Sequence, residues 1–167
     1  MWRRFGAAVM LVAVLACGAQ TAPEQRRSKW TEVTLRMQVP IGTEPVALLY
    51  TDNVSEQLLQ MKLRGFRIHL TGEHGEPPKT EWYHRVLGDS GYSPLVDANA
   101  SAAEMVMPGN YCRWEFRLNG FYLALLPGKY SLYFELEDPA LGSAGEWLTT
   151  NTEEFEVVAS AAPPGKK

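Results

Sequence analysis

The sequence is poor in cysteine and in clustered positive charge. Its 167 residues carry a net charge of −3 and no long basic run, so nothing favours nucleic acid as a partner. The only cysteines are Cys17 and Cys112, and Cys17 lies at the end of an apolar N-terminal stretch, far from any predicted core. Cys112 therefore has no suitable disulfide partner, and we expect it to be a small buried hydrophobic residue.

The chain also lacks the residue spacings that mark common metal sites. Neither an HxxxH nor a CxxC motif occurs, although imidazole and thioether groups are ligands that suit copper. Because histidine and methionine side chains are present, a copper-handling protein of the periplasm is the alternative function. Surface histidines and core methionines account for the same residues, so we expect no metal site and no cofactor. The candidate ligands are His69, His74, His84, Met61, Met105 and Met107.

Catalytic motifs are missing as well. No nucleophile-elbow motif frames a serine, and nothing in the sequence places a base beside one. We therefore expect that the chain is not an enzyme, and a small hydrolase is the weakest of the functional hypotheses. The residue types that such a hydrolase would use occur in one segment: Glu81, His84, Asp89 and Ser90.

The N-terminal residues have the features of an export signal. Arg3 and Arg4 precede an apolar run over residues 6–16, which is too short to cross a bilayer. A charged start followed by a short apolar run predicts a secretory signal peptide over residues 1–16. No later stretch is apolar and long enough to span a membrane, so we expect the mature chain to be soluble or held by this end only.

The end of this leader, Val14-Leu15-Ala16-Cys17, resembles the lipobox of bacterial lipoproteins. In that pattern an aliphatic residue, a tolerant position and a small residue precede a cysteine, and Leu15 differs from the commoner Ala or Ser. The resemblance implies that the Cys17 thiol receives a diacylglycerol, that the leader is cut just before it, and that the new amino terminus is acylated. Two acyl chains hold a protein on a membrane durably where one does not.

A lipidated Cys17 implies an exported protein of the cell envelope that is attached to a membrane through this residue. In a Gram-negative cell this would be the outer membrane or a membrane that faces the periplasm. An ordinary signal peptide with an incidental cysteine is the alternative interpretation.

The rest of the chain divides into a tether, one domain and a tail. Residues 17–29 lack apolar periodicity after the cysteine, which is typical of a solvated tether. Residues 30–159 are predicted to form a single domain, since the composition, with 46% hydrophobic and 21% charged residues, is that of a globular chain. Residues 160–167 are predicted to be a disordered tail.

Period-two alternation of apolar and polar residues predicts strands through most of the domain. It is strongest over residues 112–137, where Asn119-Gly120 predicts a tight hairpin turn and Pro127-Gly128 a second turn. This stretch is therefore predicted to form three consecutive antiparallel strands, whereas residues 54–62 fit either a short helix or an irregular edge strand. Further strands are predicted over residues 30–39, 46–51, 65–70, 80–87 and 147–158.

The longest connection, residues 88–111, is the candidate surface for a partner, because loops of this length in a compact domain are often functional. Ser101-Ala-Ala-Glu104 has the spacing of a capping box, which predicts a short helix over residues 101–107. Asp97-x-Asn99-x-Ser101 is also similar to the start of a calcium loop, but it lacks the Gly and the closing Glu of that loop. The candidate partner-binding residues are Tyr92, Asp97, Asn99 and Tyr111.

Aromatic side chains outside the core are the other candidate contact residues. Trp82 alternates against Tyr83, so one of the two is expected to face outward. Exposed aromatic side chains mark protein or glycan contacts, unless a second sheet or the long loop covers them. The tyrosines to which this applies are Tyr92, Tyr111, Tyr122 and Tyr133.

The segment from Leu125 to Tyr130, with the alternating residues that follow it, resembles the corner-and-strand pattern of immunoglobulin-like and fibronectin-III-like domains. The resemblance implies that the Tyr130 hydroxyl bonds back to the corner backbone and that Trp114 is the core tryptophan. The predicted fold is all-β: a single antiparallel immunoglobulin-like β-sandwich of about seven to nine strands, with one long loop that a short helix would fit.

Many unrelated functions use this fold, so the architecture alone assigns none. The leader and the fold together predict a membrane-anchored lipoprotein of the cell envelope with a non-catalytic binding or assembly module. Its expected partners are the membrane, through Cys17, and an envelope protein.

Overall fold

Antiparallel strands make up most of the described chain, which in this computed structural model covers residues 22–38, 44–87, 103–140 and 145–158. Two short helices lie within the same described ranges, α1 (Glu81–Val86) and α2 (Leu118–Phe121). The strands in the described residues are β1 (Thr31–Gln38), β2 (Val46–Asn53), β3 (Leu59–Met61), β4 (Phe66–Gly72), β5 (Glu104–Val106), β6 (Tyr111–Arg117), β7 (Gly128–Glu137), β8 (Trp147–Thr149) and β9 (Glu153–Val157).

Two main sheets face each other across the core. One has the order β1-β2-β6, and in the other β7 pairs with β4 on one side and with β8 and β9 on the other. A two-stranded ribbon of β3 and β5 lies at one end. Every pairing among these strands is antiparallel, which confirms the predicted all-β sandwich.

Aromatic rings from both sheets meet in the middle of the core. The ring of Phe116 on β6 lies 5.0 Å from that of Phe134 on β7, between centroids. Phe66 on β4 lies 5.0 Å from Phe116, and Phe121 on α2 lies 6.1 Å from Phe116. Phe66, Phe116 and Phe134 lie at inward-facing positions of their strands, so the pattern that predicts strands also places these three rings, whereas Phe121 comes from a helix.

The hydrogen bond expected from the resemblance to immunoglobulin-like domains is present. The Tyr130 hydroxyl donates to the carbonyl oxygen of Leu126 at 2.7 Å. The Tyr130 ring stacks on Phe155 and covers Gly72 so closely that a Cβ there would lie 2.6 Å from it. Trp114 is only half-buried, and it packs against both the main core and the small core under the ribbon.

Replacing Tyr130 with phenylalanine tests this corner. We expect the free energy of unfolding to fall by about 1 kcal/mol, because the Leu126 carbonyl loses its donor while the ring packing stays. Denaturant unfolding measures the change. Tyr133→Phe is the matched control, since it removes a hydroxyl from the outer face of the same strand. An equal loss in both variants would contradict a specific role of the corner bond.

The predicted hairpin at Asn119-Gly120 is wrong. Neither residue has a positive φ, and both lie inside helix α2. The helical turn buries Leu118 and Phe121 together, three residues apart, which a two-residue hairpin would not do. As a result β6 and β7 belong to different sheets, and residues 112–137 do not form three consecutive paired strands.

The predicted strand over residues 80–87 is also wrong, because these residues form helix α1. Thr80 caps the helix, its Oγ1 accepting from the Tyr83 amide at 3.0 Å. Tyr83 and Leu87, four residues apart, are both buried, whereas Trp82 is exposed. The expectation that one of Trp82 and Tyr83 faces outward is therefore confirmed, although the element is a helix.

The short helix predicted over residues 101–107 is replaced by strand β5. Ser101, the predicted cap, lies outside the described residues, and β5 pairs with β3 with Leu59 opposite Val106. This pairing also settles the ambiguous segment 54–62, which contains a three-residue strand. Burial of Leu59 and Val106 in the small core under the ribbon favours the strand over a solvated helix.

The last predicted strand, residues 147–158, is divided into β8 and β9. Asn151 lies at the break, where its side chain accepts from the Leu35 amide at 2.7 Å and donates to the Leu35 carbonyl at 3.1 Å. The amide group thus mimics a strand neighbour for β1 and links the two sheets along this edge.

Residues 22–29, which the sequence assigns to a tether, lie against the same edge. The Arg26 and Thr149 backbones exchange two hydrogen bonds, of 2.9 and 3.1 Å. The Gln25 side chain donates to the Val33 carbonyl at 2.8 Å. This segment is therefore bonded to both sheets.

Candidate binding surfaces

Exposed apolar side chains gather at the end of the sandwich where β3, β5 and the start of β6 meet. Met105 and Met107 flank the buried Val106 and are 60% and 63% exposed. Leu58, next to the buried Leu59 on the paired strand, is 54% exposed. We name this group the apolar surface; its members are Val54, Leu58, Met105, Met107 and Tyr111.

Asn53 holds the two segments of the apolar surface together. Its side-chain amide donates to the carbonyls of Gln57 and Val106, both at 2.8 Å, and its Oδ1 accepts from the Ser55 amide at 3.0 Å. Its backbone bonds to Asn110 and Gly109, and Gly109 turns with a φ of 75°. Since Asn53 is buried and fully hydrogen-bonded, it fixes the backbone that carries the exposed side chains of the apolar surface.

Tyr111 is the one predicted partner-binding residue that the described part of the chain includes. It is exposed at the start of β6 and meets the Tyr50 ring edge-on, with centroids 5.4 Å apart. Tyr92, Asp97 and Asn99 lie outside the described residues, as does the lipidation candidate Cys17.

A second surface lies on the outer face of the sheet that contains β4, β7 and β9. A groove of about 600 Å³ runs over this face, and we name it the sheet-face groove. Its floor is polar and partly aromatic, and residues 22–23 form part of its wall. Its lining includes Ala22, Pro23, His69, Thr71, Glu76, Ser131, Tyr133 and Glu154.

Cross-strand pairs order the side chains beside this groove. The His69 ring stacks on Tyr133 with centroids 4.3 Å apart, and His69 Nε2 lies 3.0 Å from the Glu135 carboxylate. Arg67 reaches the same carboxylate at 3.3 Å and lies 4.3 Å from the centre of the Trp147 ring. The register of β4 and β7 produces this arrangement by placing His69 opposite Tyr133 and Arg67 opposite Glu135.

Glu135 has a shifted pKa in this cluster. Burial raises the pKa, but the hydrogen bonds and charges of His69 and Arg67 outweigh it and hold the pKa below its ordinary value. The pKa of Tyr133 is raised, by burial and by the neighbouring Glu135 carboxylate. The cluster therefore favours an ionised Glu135.

We expect Glu135→Gln to lower stability by less than about 1 kcal/mol at pH 7, since the pair is partly exposed to solvent. A lowered folded-state pKa gives stability that is present above the unfolded-state pKa, about 4.3, and is lost as pH falls through the folded-state value. The difference in melting temperature between wild type and variant should therefore shrink below about pH 4. Glu156→Gln, an exposed change on β9, is the control. A difference that stays constant from pH 7 to pH 3 would contradict the assignment.

Within the described residues, no group of three or more His, Cys, Asp and Glu side chains could hold a metal ion. His69 lies on β4, His74 in the turn after it and His84 on α1. The methionines expected in the core are Met37 and Met61: Met61 is buried, and Met37 packs half-buried against the core. Met105 and Met107 are exposed. The hydrolase residues Glu81 and His84 lie on α1, whereas Asp89 and Ser90 fall outside the described residues.

Cys112 is a small buried residue, as predicted. Its thiol lies 3.3 Å from a Glu104 carboxylate oxygen. Burial, with the hydrogen bond and charge of Glu104, raises the pKa of Cys112 to about 12. A thiol with this pKa is protonated and unreactive near neutral pH.

Comparisons with known proteins add no family to this description: no protein-family model matches the chain, and no curated protein matches it. In the part of the chain that the structure covers, no helix is long and apolar enough to cross a membrane. The sheet-face groove was not predicted from the sequence. The alternating polar positions of β4 and β7 were the available signal, but they did not reveal that the two strands are neighbours.

Proposed function

We propose that the chain is a lipid-anchored protein of the bacterial cell envelope whose β-sandwich binds another envelope protein without catalysis. The apolar surface is the observation that carries the binding role. Apolar side chains exposed at the surface of a domain are costly in water, and groups of them mark interaction sites.

The chemistry of the apolar surface suits a protein partner. Met105 and Met107 have flexible, polarisable side chains that adapt to the shape of an apolar partner. Tyr111 adds a rigid ring with a polar end, a residue type that is enriched in protein interfaces. The Asn53 hydrogen bonds fix the backbone in advance, which lowers the entropy lost on binding.

The anchor in this proposal rests on the lipobox-like sequence before Cys17. Acylation there would keep the domain at a membrane, where a partner in the same membrane is at high effective concentration. A modest apolar surface is then enough for a functional complex, because the two proteins are already held in the same membrane when they meet.

Site-specific photo-crosslinking in cells tests the binding role. A photoreactive residue at Met107 is expected to give one discrete product with an envelope protein. The same residue at Lys129, exposed on β7, is the control and is expected not to give that product. With the identified partner purified, Met107→Glu should weaken binding at least about tenfold, while Met107→Leu keeps it. No product at position 107, or full binding by Met107→Glu, would contradict the proposal.

Copper handling is the second candidate, and one observation favours it. Met105 and Met107 are both exposed on one face of the same short segment, and thioethers suit Cu(I). Cu(I) should then raise the melting temperature of the wild type and not that of a Met105→Leu, Met107→Leu double variant, since a ligand that binds only the native state stabilises it. No copper-dependent shift in the wild type would rule this function out.

A further inference from the structure

The described part of the chain begins beside the sheet-face groove. The Arg26 and Thr149 backbones are bonded to each other, and Gln25 is bonded to Val33. Ala22 and Pro23 then form part of the groove wall. A lipid anchor at Cys17 would therefore be attached to the domain on the side of the sheet-face groove.

The distance from Cys17 to Ala22 is limited by covalent geometry. Five residues span at most roughly 18 Å when fully extended. Two packed sheets lie about 10 Å apart, and an outward layer of side chains adds about 5 Å on each side. The outer face of the β1-β2-β6 sheet is therefore roughly 20 Å from Ala22 through the domain. The path around the edge of the sandwich is longer. The chain therefore reaches a membrane most easily when the groove face is turned towards it.

We propose that the sheet-face groove opens towards the membrane and that a zwitterionic phospholipid surface is its occupant; this rests on the lipid anchor proposed above. The groove carries two carboxylates among neutral polar groups. Glu76 and Glu154 suit the ammonium group of a head group, while the hydroxyls of Thr71 and Ser131 suit its phosphate.

The aromatic residues near the groove fit the same occupant. Tyr133 and Trp147 are each half-buried on the outer face of the sheet. Side chains with an apolar ring and one polar group are favoured at the boundary between a membrane and water.

The test uses the lipidated protein in phosphatidylcholine vesicles that contain an acceptor-labelled lipid. One variant has a donor fluorophore at Thr71→Cys in the groove, and the matched variant has it at Arg113→Cys on the outer face of β6. Both positions are exposed, and the buried Cys112 is protonated at the labelling pH. We expect the donor at position 71 to lie closer to the membrane by roughly 10 Å or more, the spacing of two packed sheets.

Inserting a flexible Gly/Ser segment of about ten residues after Thr21 should reduce this difference, because a longer tether no longer limits which face reaches the membrane. The same insertion after Val158 should leave it unchanged. Equal distances, or a shorter one from position 113, in a protein whose mass and vesicle flotation show the anchor, would overturn the orientation alone. A protein that carries no acyl chains and does not float with vesicles would overturn the anchor and the orientation together.

Discussion

Replacing Phe134 with alanine is expected to lower the free energy of unfolding by about 3–5 kcal/mol, the usual cost of removing a fully buried phenylalanine. Phe134 has no solvent exposure, and its ring lies 5.0 Å from that of Phe116 on the facing sheet. The missing ring would leave a cavity between the sheets, and close packing prevents the neighbours from filling it. Urea unfolding monitored by intrinsic fluorescence measures the loss.

The matched control for this prediction is the next residue along β7. Tyr133→Ala removes a ring of similar size from the outer face, where the side chain is half-buried and stacks on His69. It should cost far less than Phe134→Ala, because successive side chains of a strand point to opposite faces. An equal or larger loss for Tyr133→Ala would contradict the assignment of faces on which the sandwich rests.

Asp138→Ala is expected to lower the free energy of unfolding by about 2–4 kcal/mol, because two donors lose their acceptor inside the protein. The carboxylate is fully buried just after β7 and accepts from Thr31 Oγ1 at 2.8 Å and from the Ala140 amide at 3.0 Å. It therefore joins the end of β7 to the start of β1, across the two sheets. Asp138→Asn keeps one side-chain oxygen and should lose less.

A double-mutant cycle separates this link from the general cost of changing a buried residue. Thr31→Val removes the donor, and the two changes together should cost clearly less than the sum of the single changes, since both break the same bond. Additive losses would mean that the bond between Asp138 and Thr31 does not stabilise the fold. Chemical denaturation of the four proteins under one set of conditions supplies the comparison.

The long strands were predictable because each buries one face. In β1, Val33 and Leu35 are fully buried between half-exposed neighbours, and β7 alternates in the same way over ten residues. Burial of every second residue leaves a period-two pattern that no other regular structure produces. The hydrogen bond from the Tyr130 hydroxyl to the Leu126 carbonyl was implied by the resemblance to immunoglobulin-like domains and not by the alternation.

The pairing of the strands was not predictable, because alternation reports burial and not neighbours. β6 and β7 have similar patterns but belong to opposite sheets. Asn119-Gly120 favours a hairpin locally, yet burying both Leu118 and Phe121 decides for a helical turn. In residues 80–87, the adjacent apolar residues are compatible with a strand or with one helical turn. Thr80, at the N-cap, is only a weak sequence signal for a helix.

For the candidate surfaces, too, the features that depend on which strands are neighbours could not be predicted. Exposure of Tyr111 was expected, but Tyr122, expected to face outward, is fully buried, and burial raises its pKa. The exposure of Met105 and Met107 could not be predicted, because it depends on the pairing of β5 with β3. The cluster around Glu135 likewise depends on the register of β4 and β7, which distant segments set.

The proposed lipid anchor is tested most directly by the intact mass and membrane partitioning of the expressed protein beside a Cys17→Ala variant. We expect a membrane-bound chain that begins at Cys17 and carries a diacylglycerol, with both the acyl mass and the membrane association lost in the variant. A soluble, unacylated chain that begins after Cys17 would contradict it and would make the protein a secreted domain.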